Sequence, residues 1–167
     1  FSGGSDFQDF NINAVTGEVT FLSPPDFENP TDADGENTYS FVLMASDGSM
    51  SDSQNVTVEV SEAPDPPIMT GGAAASVTIE EGETFVIDVN ATDQDGDSLT
   101  YSKSGPDADL FSIDSLSGVL AFRSPPDYEV ALDTGDTVGD NTYVVYVTAS
   151  DGVETTDDAD QTIKVTV

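Results

Sequence analysis

The chain has 167 residues, no cysteine and no histidine, and 33 acids against three basic residues, a formal charge of −30. A nucleic-acid backbone or an anionic lipid surface would be repelled by that charge, and no disulfide, thiolate metal site, imidazole base or thiol nucleophile can be built. The length fits one large domain or two small ones.

Taken in chain order, the apolar residues alternate with period two, as half-buried strands require. A short strand is predicted at Gly17–Leu22. Tyr39, Phe41, Leu43 and Ala45 then form an inward set, followed by Val56, Val58 and Val60. Next comes Ser61-Glu62-Ala63-Pro64-Asp65-Pro66-Pro67, whose prolines make a stiff, extended connector. Beyond it Phe85, Ile87, Val89 and Ala91 are expected to face one way, with Asp88, Asn90 and Thr92 opposite. Short strands follow at Leu99–Ser102 and Gly118–Arg123, then the inward sets Tyr143, Val145, Val147, Ala149 and Ile163, Val165, Val167. Gly, Asp, Asn and Pro clusters separate these runs, and no helical period is sustained. Many short antiparallel strands at this spacing predict an all-β chain of Greek-key sandwiches.

One block occurs twice. Phe10, Val15-Thr16-Gly17, Phe21, Pro24-Pro25-Asp26-Phe27-Glu28 return at a constant offset of 101 as Phe111, Leu116-Ser117-Gly118, Phe122, Pro125-Pro126-Asp127-Tyr128-Glu129. The offset becomes 104 at Asn37-Thr38-Tyr39 and Asn141-Thr142-Tyr143, as one loop insertion of three residues would produce. A repeat this long is a domain. The second copy has about forty residues ahead of its block and the first has none, so the expected division is 1–61, the C-terminal part of a truncated unit; 62–67, an acidic proline-rich linker; and 68–167, a complete unit.

The repeated polar positions are largely acidic. Asp26/Glu28, Glu62/Asp65, Asp93/Asp95 and Asp151 converge on the linker if the sandwiches stack end to end. Two carboxylates about 4 Å apart repel by about 4 kcal/mol at an effective dielectric near 20, so such a cluster needs counter-ions. A hard cation such as calcium, which takes about six to eight oxygens, supplies them. Any one acidic pair alone reads as a solvated turn. The order of all four is what carries the metal reading.

These residues resemble the cadherin repeat. Asp26-Phe27-Glu28 is similar to that family's Asp-x-Glu, Glu62-Ala63-Pro64-Asp65-Pro66 to its linker, Asp93-Gln94-Asp95 to its Asp-x-Asp, and Asp151 in Ala149-Ser150-Asp151 to its later Asp. Pro25-Asp26-Phe27-Glu28-Asn29-Pro30-Thr31-Asp32-Ala33-Asp34-Gly35 is similar to stretches frequent in the cadherin-like repeats of large bacterial surface proteins. The resemblance implies tandem cadherin-like, Ig-like sandwiches with roughly three calcium ions between units, held by Asp26, Glu28, Glu62, Ala63 (through backbone carbonyl), Asp65, Asp93, Asp95 and Asp151. It also implies a half-site from Glu81, Asp127 and Glu129, with neighbouring repeats of the same chain as partners and an extracellular or cell-surface location. The linker departs from the pattern: Glu62 replaces Asp, and Pro64 and Pro66 replace two Asn, which removes a side-chain ligand.

Asp32-Ala33-Asp34-Gly35-Glu36-Asn37 has the oxygen density of a calcium loop without its downstream Glu, and reads first as a solvated loop. Gly96-Asp97 reads first as a turn. Asp127/Glu129 could pose as paired glycosidase carboxylates about 5 to 10 Å apart, but the same pair recurs as Asp26/Glu28, and a duplicated catalytic site in tandem sandwiches is a poor expectation. The chain is therefore expected to be no enzyme. The leading reading is a calcium-rigidified extender of a bacterial surface or secreted protein. The alternatives are a calcium-dependent polysaccharide-binding module, with Tyr101, Tyr128 and Tyr146 as exposed aromatics, and a self-assembling or homophilic subunit completed by a partner strand.

Overall fold

In the computed structural model the described residues are 1–135, 137–153 and 158–167. They form two compact units, Phe1–Ala63 and Pro64–Val167.

The first unit has four strands among the described residues: β1 (Phe10–Ile12), β2 (Val19–Phe21), β3 (Thr38–Ser46) and β4 (Ser51–Glu59). β1 and β2 pair antiparallel with Phe10 opposite Phe21. Their turn is closed by Asn13, whose side-chain oxygen accepts the amides of Val15 and Thr16. β3 and β4 form a long hairpin from Thr38↔Glu59 to Ser46↔Ser51. Asp47 caps its turn by accepting the Ser49 and Met50 amides, each at 2.8 Å. Phe10, Tyr39 and Phe41 are the buried core, with Phe1, Val19, Phe21, Leu43, Val56, Val58 and Val60 packed around them.

The second unit adds β5 (Ile68–Met69), β6 (Ala74–Thr78), β7 (Phe85–Asp88), β8 (Ala91–Thr92) and β9 (Thr100–Ser104) before repeating the first unit's elements as β10 (Phe111–Ile113), β11 (Val119–Phe122), β12 (Thr142–Ser150) and β13 (Ala159–Thr166). Two sheets result, β10-β11-β7 and β6-β13-β12-β9, with a small β5-β8 pair beside them. β6 runs parallel to β13, and the other pairings are antiparallel. The predicted inward sets meet between the sheets: Tyr143, Val145, Val147, Ala149, Ile163 and Val165 are all buried, with Phe111 and Leu120 fully enclosed. This is the expected all-β, cadherin-like sandwich.

The aromatic block explains why the repeat is strict. Phe10 and Phe21 lie 4.4 Å apart and Phe21 meets Tyr39 edge-on at 5.1 Å. Phe111, Phe122 and Tyr143 repeat this at 4.2 and 5.1 Å. Such tilted and edge-on pairs stabilise beyond their buried area, and they tolerate little change of shape.

Two sequence expectations need correction. On β7 the inward residue is Val86, 4% exposed, while Phe85 is turned out at 56%. The register steps from Leu120↔Ile87 to Ala121↔Phe85, so Val86 is the extra residue of a β-bulge, and the period-two alternation breaks there. Tyr101 is not an exposed aromatic. It is buried, and its hydroxyl accepts the Ala91 amide at 3.0 Å. Tyr128 and Tyr146 are exposed.

Candidate metal centres

Each acidic position is placed by a short loop at a strand end. In the first unit Asp26 follows β2, and its Oδ1 accepts the amides of Glu28 and Asn29 at 3.1 and 3.0 Å. That turn fixes the Asp-x-Glu backbone. Asp127 does the same in the second unit, accepting the Glu129 amide at 3.0 Å. Glu62 and Ala63, at the end of the first unit, are exposed.

The second unit gathers two carboxylate triads. Glu81, Asp127 and Glu129 each offer an oxygen within 4.8 Å of the others. Glu81 Oε2 also accepts the Tyr128 amide at 3.1 Å, which ties the loop before β7 to the loop after β11. All three side chains are exposed and line one recess beside Pro125 and Pro126.

Asp93, Asp95 and Asp97 form the second triad, again with oxygens within 4.8 Å. This loop between β8 and β9 is held by one backbone amide of its own and one from the segment before β5. Asp93 Oδ1 accepts the Asp97 amide at 3.1 Å, and Asp95 Oδ2 accepts the amide of Asp65 at 2.8 Å. The remaining oxygens, Asp93 Oδ2 and Asp95 Oδ1, are buried and meet no hydrogen-bond donor among the described residues. A buried carboxylate oxygen with no donor is costly unless a cation compensates it. The donor set fits a hard divalent ion, because it is all oxygen and lacks the sulfur or imidazole that softer metals prefer. Asp151 is not a member of either triad, and its Oδ1 accepts the Val153 amide at 2.9 Å. Asp97, read from sequence as a turn residue, does make the turn and also brings its carboxylate into the triad.

Sequence reasoning missed a second, structural class of acid. Asp107 is 1% exposed. Its Oδ1 accepts the Thr134 amide and hydroxyl at 2.6 and 2.8 Å, and its Oδ2 accepts the Val144 amide at 2.7 Å. Asp6 repeats this at the same offset, accepting the amides of Ala33 at 2.8 Å and Ser40 at 2.7 Å and the Ser5 hydroxyl. Burial opposes ionisation of Asp6, but the hydrogen bonds from Ser5, Ser40 and Ala33 prevail and hold its carboxyl below the usual range. These carboxylates pin the long loop before β3 or β12 to the strand that follows. The shared offset of 101 was the signal that could have found them. Asn37 and Asn141 complete the loops: both adopt left-handed backbone (φ 60° and 62°), and both donate through Nδ2 to a carbonyl, Phe27 and Tyr128 respectively.

Against known proteins, residues 75–167 match the family model described as Cadherin domain. Protocadherin Fat 2 of Rattus norvegicus is 33% identical over 127 residues, 72% of this chain and 3% of that protein. Protocadherin Fat 1 of Homo sapiens is 28% identical over 137 residues, 75% of this chain and again 3% of the relative. The chain thus spans a small fraction of these curated relatives. Among solved structures, mouse cadherin-23 EC22-24 is similar with a TM-score of 0.58 at 24% identity, covering 95% of this chain and 49% of that one. Protocadherin gamma C5 EC1-3 gives 0.59 at 22% identity, covering 95% and 51%. At these identities the structural likeness speaks for the fold. Among the described residues no helix is long and apolar enough to cross a membrane. With the family model covering more than half of the residues, the chain belongs to the cadherin family, whose domains are non-enzymatic, adhesion-type extracellular repeat modules.

Proposed function

We propose that this chain is a calcium-stiffened extender segment of a multi-repeat adhesion protein at a bacterial surface or in its secretions. In this reading residues 1–61 are the C-terminal part of one repeat, 62–67 the ion-binding linker and 68–167 a complete repeat. Asp26, Glu28, Glu62, Ala63, Asp65, Asp93, Asp95 and Asp151 hold calcium at the boundary, and Glu81, Asp127 and Glu129 hold it toward the next repeat. The bacterial setting is supported by the Pro25–Gly35 stretch; the relatives cited above come from rat and human.

The observation that carries the reading is the Asp93/Asp95/Asp97 loop, with two buried carboxylate oxygens that no donor satisfies. When bound, the cation supplies the positive charge and the cross-link that these oxygens lack. The protein's part is to hold the carboxylates in place, which it does through the Asp65 and Asp97 amides. Adhesion and neighbouring repeats as partners follow from the family. The function is then mechanical: each filled boundary removes bending freedom and holds a distant binding head away from the cell.

Chelation tests this. One ion held at about a hundred times its Kd adds about 2.7 kcal/mol. EGTA should therefore lower the melting temperature by about 10 °C or more and broaden the distance distribution in small-angle scattering, both reversed by calcium. If EGTA leaves melting and scattering unchanged, the extender reading fails.

A further inference from the structure

The loop Asp32–Asn37 of the first unit belongs to neither carboxylate triad, and its counterpart in the second unit shows what is unusual about it. Asp133, the counterpart of Asp32, has both oxygens partnered. Its Oδ1 accepts the Asn141 amide at 3.1 Å, and its Oδ2 accepts the amides of Gly139 and Asp140 at 2.7 and 3.3 Å. That loop is three residues longer, enough for its backbone to wrap the carboxylate. It includes residue 136, which is outside the described residues.

In the shorter loop the wrap is incomplete. Asp32 is 7% exposed, and its Oδ2 accepts the Glu36 amide at 3.0 Å. Among the described residues its Oδ1 is buried with no donor. Asn37 Oδ1 is left without one too, but so is Asn141 Oδ1 in the second unit, so the difference between the loops lies in the Asp carboxylate. The carboxyl of Asp34, on the exposed side, lies against that of Asp32. Two carboxyl groups in contact need something positive between them: a shared proton in acid, or a metal ion when both are ionised.

We propose that Asp32 and Asp34 form a divalent-cation site within the first unit, separate from the boundary acids and, among the described residues, without a counterpart in the second unit. The contact with Asp32, and then burial, push the Asp34 carboxyl up. Burial opposes ionisation of Asp32, yet the contact with Asp34 and the backbone amides around it hold it down. Two carboxylates are few for calcium, so water completes the shell and the affinity belongs at the weak end of extracellular modules, about 0.1–1 mM.

The test is calcium stoichiometry by equilibrium dialysis on the whole chain at pH 7. Asp34→Asn alters an exposed side chain and removes a like-charge contact, so its calcium-free melting temperature should be no lower than the parent's. It should bind one ion fewer, as should Asp32→Asn. Asp140→Asn, in the second unit's loop, should bind as many as the parent. The difference between parent and Asp34→Asn reads this loop alone, so it persists even if chelation leaves the scattering of the chain unchanged. An Asp34→Asn variant that binds the parent's number of ions overturns the site. An Asp140→Asn variant that also loses one overturns its restriction to the first unit.

Discussion

The two units are built on the same residues, yet they enclose them to different degrees. Phe111, Leu120, Val145, Val147, Ala149, Ile163 and Val165 have no exposed surface in the second unit, where β6 pairs with β13 and β7 with β11. In the first unit β4 pairs with β3 alone among the described residues, and Val56 and Val58, counterparts of Ile163 and Val165, are half-exposed. Ala45, aligned with buried Ala149, is exposed. The aromatic trio and the acid latch therefore form without a complete pair of sheets, because they rest on contacts local to the repeated block. Full exclusion of water from the core needs the strands that only the second unit carries.

The largest expected effect sharpens that contrast. Phe111→Ala should cost about 4 kcal/mol, since the cavity left in a closed core cannot collapse fully. Phe10→Ala should cost clearly less, as its looser surroundings can move in. Equal losses in urea unfolding, followed by resonances of each unit, would break the comparison.

A second pair probes the turn glycines. A Cβ on Gly118 (φ +74°) would sit 2.1 Å from the Val89 carbonyl oxygen, whereas one on Gly17 (φ +78°) meets nothing within 4 Å. Gly17→Ala should cost about 1 kcal/mol for the left-handed backbone alone. Gly118→Ala should cost about 3 kcal/mol, because a strand must also shift. Calorimetry on the two variants decides whether the close packing of the loop before β8 against β11 is what distinguishes them.

The smallest effect is a pH dependence specific to the first unit's latch. The Asp6 carboxyl is depressed by its three hydrogen bonds, which outweigh burial, so the folded state binds its proton less readily than the unfolded state. Its contribution is complete above the unfolded value near 4 and fades as pH falls through the lower folded value. Asp6→Asn should flatten the stability profile in that acid window. An unchanged profile would mean that the latch does not couple to folding.

Much of this was legible in the residues. Period-two alternation located β12 and β13, and the repeat gave the aromatic trio and the order of the acids. Alternation failed at Val86, where a bulge set by the pairing with β11 turns an extra residue inward. The reading of Tyr101 as an exposed aromatic failed for another reason: its ring is buried and its hydroxyl accepts the Ala91 amide of β8. Asp6 and Asp107 looked like any other acid in a chain with 33 of them. Their partners lie 27 to 37 residues away, beyond the reach of a local motif.

By itself the sequence determined the all-β class, the duplicated block and the identity of the acids available for a cation, since these depend on residue type, period and spacing. Only the tertiary structure decided which acids serve the backbone and which are left with open oxygens. That choice rests on where amides from distant strands arrive: Asp107 and Asp133 are satisfied by them, while Asp32, Asp93 and Asp95 each keep a buried oxygen without a donor. The same side chain is a latch in one place and a candidate ligand in another. Hydrogen-bond supply makes the difference.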